Sequence, residues 1–291
     1  MNRDVHRSRE ATSPQNEVKP FVKWLGGKRQ LLKQFYDLGV YPPHAFNAST
    51  NTYYEPFVGG GAVFFDLLPK RAKLSDMNWE LITAYRVIRD NIDELIPALK
   101  SHVYDRDYYL AMRSKNPKHL SNIEAASRFI FLNRTGFNGL YRVNRSGKFN
   151  VAFGTYSNPL ICDEDNLRNV SHALQGISIK HRDYIKALKK AKAGDFIYCD
   201  PPYYPVNKTA SFISYTADIF LEEEQEELRD ICIQLHEHGC YVMLSNSDTP
   251  YIQKLYSGIK GFKITRIFAG RTINSKATKR GKVAEVVITT Y

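Results

Sequence analysis

Apolar residues along the chain fall into short dense runs bounded by glycine, proline or an acid, separated by longer stretches with helical spacing. Tyr53-Tyr54-Glu55, Ala72 to Asp76, Ile177 to Lys180, Phe196 to Cys199, Cys240 to Leu244, Lys263 to Phe268 and Val283 to Thr289 read as strands. Ala62 to Leu68, Asn78 to Arg89, Ile92 to Leu99, Tyr108 to Arg113, Glu124 to Asn133 and Leu221 to His238 read as helices. Strand and helix alternate around the early and middle strands, which predicts an α/β fold on a largely parallel sheet. The last two strands are separated only by the basic loop Arg271 to Lys282, so an antiparallel pair is expected to close a sheet of about seven strands.

Helices and a hairpin pattern interrupt the alternation in the middle of the chain. We read 99–174 as an inserted domain and 20–98 with 175–291 as the core domain that carries it. Residues 1–19 are polar and charged, and are expected to be a disordered leader. Tyr204 to Ile219 is polar-aromatic without periodicity, and is expected to form a loop over the site.

Two glycine-rich turns follow apolar runs. Phe21 to Lys28 ends in Gly26-Gly27-Lys28 and feeds an amphipathic run through Leu31, Leu32 and Phe35. Backbone amides at such a helix start favour an anion such as a carboxylate; the spacing is not that of a P-loop. The second turn, Pro56-Phe57-Val58-Gly59-Gly60-Gly61, lies between a strand and a helix, the layout of a nucleotide-binding doubly wound sheet. It lacks Gly-x-Gly-x-x-Gly, which disfavours a dinucleotide. Asp76 ends the next strand, where an acid can bind ribose hydroxyls, although it also opens a helix.

The densest chemistry is Asp200-Pro201-Pro202-Tyr203, directly after the run Phe196 to Cys199. Prolines cannot continue a ladder, so the Asp200 carboxylate and the Pro201 carbonyl are held at the carboxyl end of a strand. Two acceptors beside a flat ring suit a planar amine, with a hydrogen bond for each N–H and a face for stacking. A proline-stiffened turn with a packed tyrosine is the plainer reading of the same four residues.

Asn133 to Val151 supplies a second pattern. Leu140 to Val143 and Lys148 to Val151 flank Arg145-Ser146-Gly147, which reads as a β-hairpin with a glycine turn. It carries Arg134, Asn138, Arg142, Arg145 and Lys148, with Phe137 at its start. A ribbon with arginine and asparagine fits a DNA major groove, and an aromatic can wedge into a base step. A solvated surface hairpin accounts for the same residues.

Composition narrows these readings. The chain has 291 residues with a formal charge of +11, which favours a polyanionic partner. No apolar run is long enough to span a membrane, and the N-terminus lacks the apolar segment of a signal peptide. Four cysteines, Cys162, Cys199, Cys232 and Cys240, show no C-x-x-C spacing. Neither zinc nor a disulfide framework is expected, and a reducing, cytoplasmic setting fits.

Taken in order, Lys23 to Lys28, Glu55 to Gly61, Asn133 to Val151, Asp200 to Tyr203 and Ser245-Asn246-Ser247-Asp248 resemble the Dam-type, alpha-class DNA adenine-N6 methyltransferases, from near Pro20 to the C-terminus. The resemblance implies a seven-stranded Rossmann-like sheet with an inserted target-recognition domain. It implies S-adenosylmethionine as cofactor and double-stranded DNA as partner, with no metal and a monomeric enzyme in a bacterial or phage-infected cell. Trp24, Gly26 and Lys28 would line the methionine part of the cofactor; Glu55, Phe57 and Gly59 its floor. Asp76 would take the ribose, and Asp183 with Tyr184 the adenine. Asp200, Pro201, Pro202 and Tyr203 would form the catalytic motif around an adenine flipped from the duplex.

By the same resemblance the target is GATC. Lys23 would contact the first guanine, Leu140 the thymine methyl and Arg142 the guanine opposite the last cytosine. Phe137 would enter the stack with Asn138 beside it, and Arg134 and Tyr156 would belong to the same DNA-binding surface. Ala152 and Thr155 depart from the family pattern, which often has proline and arginine there; both bear on the outer base pair and a phosphate contact. Altered specificity, an RNA or protein amino-methyltransferase, and a DNA-binding protein on an inactive methyltransferase fold are the alternatives.

Overall fold

A computed structural model describes residues 18–144, 146–206, 220–270 and 282–291. The leader up to residue 17, Arg145 of the hairpin turn, most of the expected loop over the site (207–219) and the basic loop 271–281 lie outside the described residues. The strands are β1 (Tyr53–Glu55), β2 (Ala72–Asp76), β3 (Ser178–His181), β4 (Phe196–Cys199), β5 (Tyr241–Ser247), β6 (Lys263–Gly270) and β7 (Lys282–Thr289). They form one seven-stranded sheet in the order β3-β2-β1-β4-β5-β7-β6. The first five are parallel, and β7 runs antiparallel to both β5 and β6. The α/β sheet and its antiparallel closing pair therefore match the pattern read from the sequence, with ends shifted by a residue or a few.

The period of two along the central strands explains the layering. Tyr53, Phe196 and Tyr198 face one core cluster, while Tyr54, Ile197 and Cys199 face the other. Strands buried on both faces must be apolar throughout, as β4 is. The first face packs against α2 (Ala62–Leu67), α3 (Trp79–Asp90), α4 (Ile92–Lys100), α6 (Asn122–Thr135) and α7 (Glu164–Ala173). The second packs against α8 (Tyr184–Leu188), α9 (Glu222–Glu237) and α10 (Pro250–Tyr256). α1 (Leu32–Asp37), ahead of β1, also packs on the first face through Phe35, and α5 (Arg106–Ser114) lies between α4 and α6 in sequence.

Segment 99–174 has two faces. Ala126, Phe129 and Ile130 of α6, with Leu167 and Val170 of α7, join the core under the sheet. Phe131 and Leu132 turn to a satellite cluster with Tyr109, Met112, Phe149 and Val151. A capping box between Ser121 and Glu124 starts α6. The helix is buried nearly all round because it serves both clusters. The hairpin after it is shorter than its pattern: one antiparallel bridge joins Val143 and Phe149, flanked by bonds from Asn144 N to Lys148 O and from Asn150 N to Arg142 O. The Asn144 carboxamide accepts from the amides of Ser146 and Lys148 and so folds the turn locally in place of a longer ladder.

Candidate active site and DNA-facing surface

The chain winds from β1 to β2 to β3 in one direction and returns through β4 and β5 on the other side of β1. The switch between β1 and β4 opens a crevice at the carboxyl ends of both strands. Glu55 closes β1, Asp76 closes β2, Asp183 follows β3 and Asp200 follows β4. Four carboxylates thus stand along one edge of the sheet.

Glu55 is buried, and its Oε2 accepts from the Tyr53 hydroxyl at 2.9 Å. Burial pushes its carboxyl well above the ordinary range, with the Tyr53 bond acting the other way. The native state therefore keeps a proton that the unfolded chain loses near pH 4.5, and binds more protons than the unfolded state above that point. Stability from this group is fullest below the unfolded value and declines as pH rises. Glu55→Gln is expected to remove that decline. The ligand-free variant should gain thermal stability relative to the parent as pH rises above the unfolded value; parallel melting curves would show that Glu55 ionises freely.

The glycine loop is tied to Asp76. Gly59 N donates to Asp76 Oδ2 at 3.0 Å and Asn78 N donates to Oδ1 at 2.9 Å. Burial raises the Asp76 carboxyl, and these amides partly offset it. Gly59 has φ +47°, and a Cβ there would lie 2.6 Å from Trp24 Cδ1, so the indole rests directly on the loop backbone. Beyond it, Phe57 stacks on Tyr184 with ring centroids 5.3 Å apart, and Phe220 meets both rings edge-on at 5.8 and 5.7 Å. Asp183 caps α8 through Lys186 N and pairs with the Lys186 ammonium at 3.0 Å. Burial opposes ionisation of Asp183, but the Lys186 contacts prevail and hold it below the ordinary range. Phe220 did not stand out in the sequence; an aromatic just before an acidic helix was its one signal.

Lys28 and Asp200 meet across the crevice. The ammonium is 4% exposed and lies 2.8 Å from each Asp200 oxygen, but is aligned for a hydrogen bond to Oδ2 alone. Oδ1 is left as a buried acceptor without a hydrogen-bond donor. Lys28 also donates to the Gly26 carbonyl at 2.5 Å and sits 4.8 Å over the Tyr203 ring. Burial raises the Asp200 carboxyl, and Lys28 opposes that rise. Sequence reasoning set Lys28 beside the cofactor tail; in the structure its charge is on the motif aspartate.

A buried polar network braces the motif. Gln225 of α9 donates to the Pro202 carbonyl at 3.1 Å, and Asn246 donates to Gln225 Oε1 at 2.9 Å. Asn246 Oδ1 accepts from Tyr204 N at 3.1 Å, and the Ser247 hydroxyl donates to the Tyr204 carbonyl at 2.7 Å. The Tyr203 hydroxyl donates to Glu285 Oε2 of β7 at 2.9 Å, which fixes the ring's tilt. Gln225 is one polar residue among many on the charged helix α9 and carries no signal of its own, whereas Glu285 is a lone acid in the apolar run Val283 to Ile288, which is the signal that marks it.

The residues expected from the sequence to read DNA gather beside the Lys23 loop. Asn133 is buried; its Oδ1 accepts from Lys23 N at 2.8 Å, and its amide donates to the carbonyls of Lys23 and Gly139 at 2.8 and 2.9 Å. Gly139 has φ +63° and its Cα faces Lys23 so closely that a Cβ would fall 2.4 Å from Lys23 Cδ. The Lys23 ammonium lies 4.4 Å over the Tyr156 ring, whose hydroxyl donates to the Gly136 carbonyl at 2.9 Å. Phe137 is 52% exposed and Asn138 adopts φ +55°, so both project from this corner. Arg142 is held by Asn150, with Nε to Oδ1 at 2.8 Å, and Leu140 is half-buried. Arg134 is drawn inward: its NH2 donates to the Phe21 carbonyl at 2.8 Å and burial lowers its pKa.

With this geometry in view, the sequence matches the D12-class N6-adenine-specific DNA methyltransferase family over residues 24–273. The chain belongs to that family. This adenine-specific DNA methyltransferase is 43% identical over 282 residues to the Type II methyltransferase M1.LlaDCHI of Lactococcus lactis subsp. cremoris, covering 94% of this chain and 96% of the relative. It is 40% identical to the Type II methyltransferase M.MjaIII of Methanocaldococcus jannaschii, covering 94% and 100%. It is 33% identical to a DNA adenine methylase of Haemophilus influenzae, covering 96% of each chain. The resemblance read from the motifs is thus confirmed at the level of family and reaction. Among the described residues of the methyltransferase, no helix is long and apolar enough to cross a membrane, and no cluster of three or more metal-ligating side chains forms.

Proposed function

We propose that the enzyme transfers a methyl group from S-adenosylmethionine to N6 of an adenine flipped out of duplex DNA, within GATC. The observation that carries this reading is the buried Asp200 carboxylate beside the face of Tyr203; its Oδ1 is charge-paired with Lys28 but accepts no hydrogen bond. An exocyclic amine supplies the N–H that this oxygen lacks, and the ring stacks on the base. Hydrogen bonds from N6 to Asp200 and to the Pro201 carbonyl draw both N–H groups out of conjugation and direct the nitrogen lone pair. Gln225 and Asn246 keep the Asp200–Tyr203 turn rigid, so catalysis is by positioning and electrostatics. The Tyr203–Glu285 bond fixes the stacking face.

The crevice fits a cationic, hydroxylated donor. Asp76, Asp183 and Asp200 give it a run of carboxylates, with the protonated Glu55 among them as a neutral polar group, and the Phe57–Tyr184–Phe220 rings give a planar apolar end. Asp76 would hold the ribose, Asp183 and Tyr184 the adenine, and Trp24, Gly26 and Lys28 the methionine part, over Glu55, Phe57 and Gly59. When bound, the donor supplies an electrophilic methyl to the amine. Because Lys28 occupies one Asp200 oxygen, target binding shares the carboxylate between the ammonium and N6. Lys23, Phe137, Asn138, Leu140, Arg142 and Tyr156 would read and open the duplex, with Arg134 bracing the Phe21 backbone behind them. The segment 99–174 would act as the target-recognition insert.

Transfer of labelled methyl from S-adenosylmethionine to two duplexes, one with GATC and one with it scrambled, tests this. Label on adenine in the GATC duplex alone is expected. Equal label in both overturns the specificity while keeping the chemistry. Label in neither, with RNA accepting it instead, overturns the DNA reading.

A further inference from the structure

Tyr141 lies in the hairpin between Leu140 and Arg142, the residues given base contacts above. Its side chain leaves the hairpin for the catalytic core. The hydroxyl donates to Glu80 Oε1 at 3.0 Å, and Arg128 donates to Glu80 Oε2 at 2.8 Å. Arg128 is itself spent on the Met112 and Arg113 carbonyls, at 2.8 and 3.0 Å. Glu80 sits in the first turn of α3, whose cap residue Asn78 bonds Asp76 through its amide. The Tyr141 ring meanwhile stacks on Trp24, with centroids 5.9 Å apart and planes within 22°. Trp24 rests on Gly59, which bonds Asp76. One side chain therefore touches both routes into the Asp76–Gly59–Trp24 corner and carries the recognition hairpin on its backbone.

Packing alone would not require the hydroxyl. Phe129 and Phe149 flank the ring at 5.5 and 5.7 Å, so a phenylalanine would fill the same space. The bond to a buried carboxylate fixes the direction of the ring, and with it the height at which Leu140 and Arg142 are presented. We propose that Tyr141 is a positioning residue that ties the hairpin to the cofactor cradle, so that donor binding and DNA affinity are thermodynamically coupled. The inference rests on the assignment of the cradle to S-adenosylmethionine and of the hairpin to DNA.

The test is Tyr141→Phe in the full chain. The affinity for a GATC duplex is measured with and without S-adenosylhomocysteine, together with kcat, KM for the duplex and the melting temperature. In the parent, S-adenosylhomocysteine is expected to tighten the duplex about fivefold or more. In Tyr141→Phe, which loses the Glu80 bond but keeps the ring on Trp24, that dependence should fall by about half or more and KM should rise about tenfold, while kcat at saturating DNA stays near parental. Phe149→Leu loosens the packing but keeps the hydroxyl, so it should lower the melting temperature and preserve the coupling. The inference is overturned if Tyr141→Phe keeps the parental coupling, if it lowers kcat and melting temperature alone, or if a parent that methylates GATC shows no coupling. A parent that neither binds nor methylates DNA overturns instead the reading beneath it.

Discussion

Asp200→Asn is expected to reduce methyl transfer at saturating substrate by about 100- to 1,000-fold, the usual cost of losing one aimed electrostatic contact. The substitution keeps the volume of the side chain but turns one acceptor into a donor. The amide can no longer accept from both Lys28 and a target amine, and it leaves the buried Lys28 ammonium without its counter-charge. Lys28 still has the Gly26 carbonyl and the Tyr203 ring, so the fold should survive. The loss should therefore appear in kcat, with cofactor-induced thermal stabilisation retained in kind. Single-turnover transfer is the direct measurement, with circular dichroism as the control. Full activity in a folded Asp200→Asn enzyme would remove the aspartate from the chemistry.

Arg128→Ala is expected to destabilise the protein by about 3–5 kcal/mol, the cost of stripping one partner from a buried pair. Arg128 is 1% exposed and bridges α6, α5 and α3 through Glu80 and two backbone carbonyls. Its removal leaves the Glu80 carboxylate buried with only the Tyr141 hydroxyl, and leaves the carbonyls of Met112 and Arg113 without this donor. Replacing both charged partners together, as Arg128→Met with Glu80→Leu, should cost less than Arg128→Ala, because no ion is then left uncompensated. Urea unfolding of the three proteins checks the order. A single variant within about 0.5 kcal/mol of the parent would mean that water reaches the pair and replaces the contact.

Most of the fold is legible in the sequence. The sequence pattern marks β1, β2 and β4 residue for residue: β4 is apolar throughout because both its faces are buried, β2 alternates Ala72 and Leu74 with Lys73 and Ser75, and each ends at an acid. The hairpin was read longer than it forms. Its alternating residues can pair locally, but the Tyr141 side chain is drawn toward the core and the Asn144 turn closes the hairpin early, so only the Val143–Phe149 bridge remains. The boundary at residue 99 follows the break in periodicity, which does not register that Phe129 and Ile130 complete the core beneath the sheet. Periodicity reports which face of a helix is apolar; it does not report which neighbour covers that face.

The site divides the same way. Asp200 to Tyr203, the two glycine turns and Asp76 were legible because each is a local device: proline stiffness, glycine freedom and a strand end act over a few residues. The sequence by itself therefore determined the α/β sheet, the carboxylates at its strand ends and the family. The tertiary structure alone decided that Lys28 sits on Asp200, that Gln225 and Asn246 brace the motif, and that Tyr141 and Arg128 share Glu80. These pairs are separated by between 21 and 172 residues or lie on different elements. A charge or amide in the sequence carries no mark of its partner, and only closure of the chain around a low-dielectric interior makes one particular partner necessary.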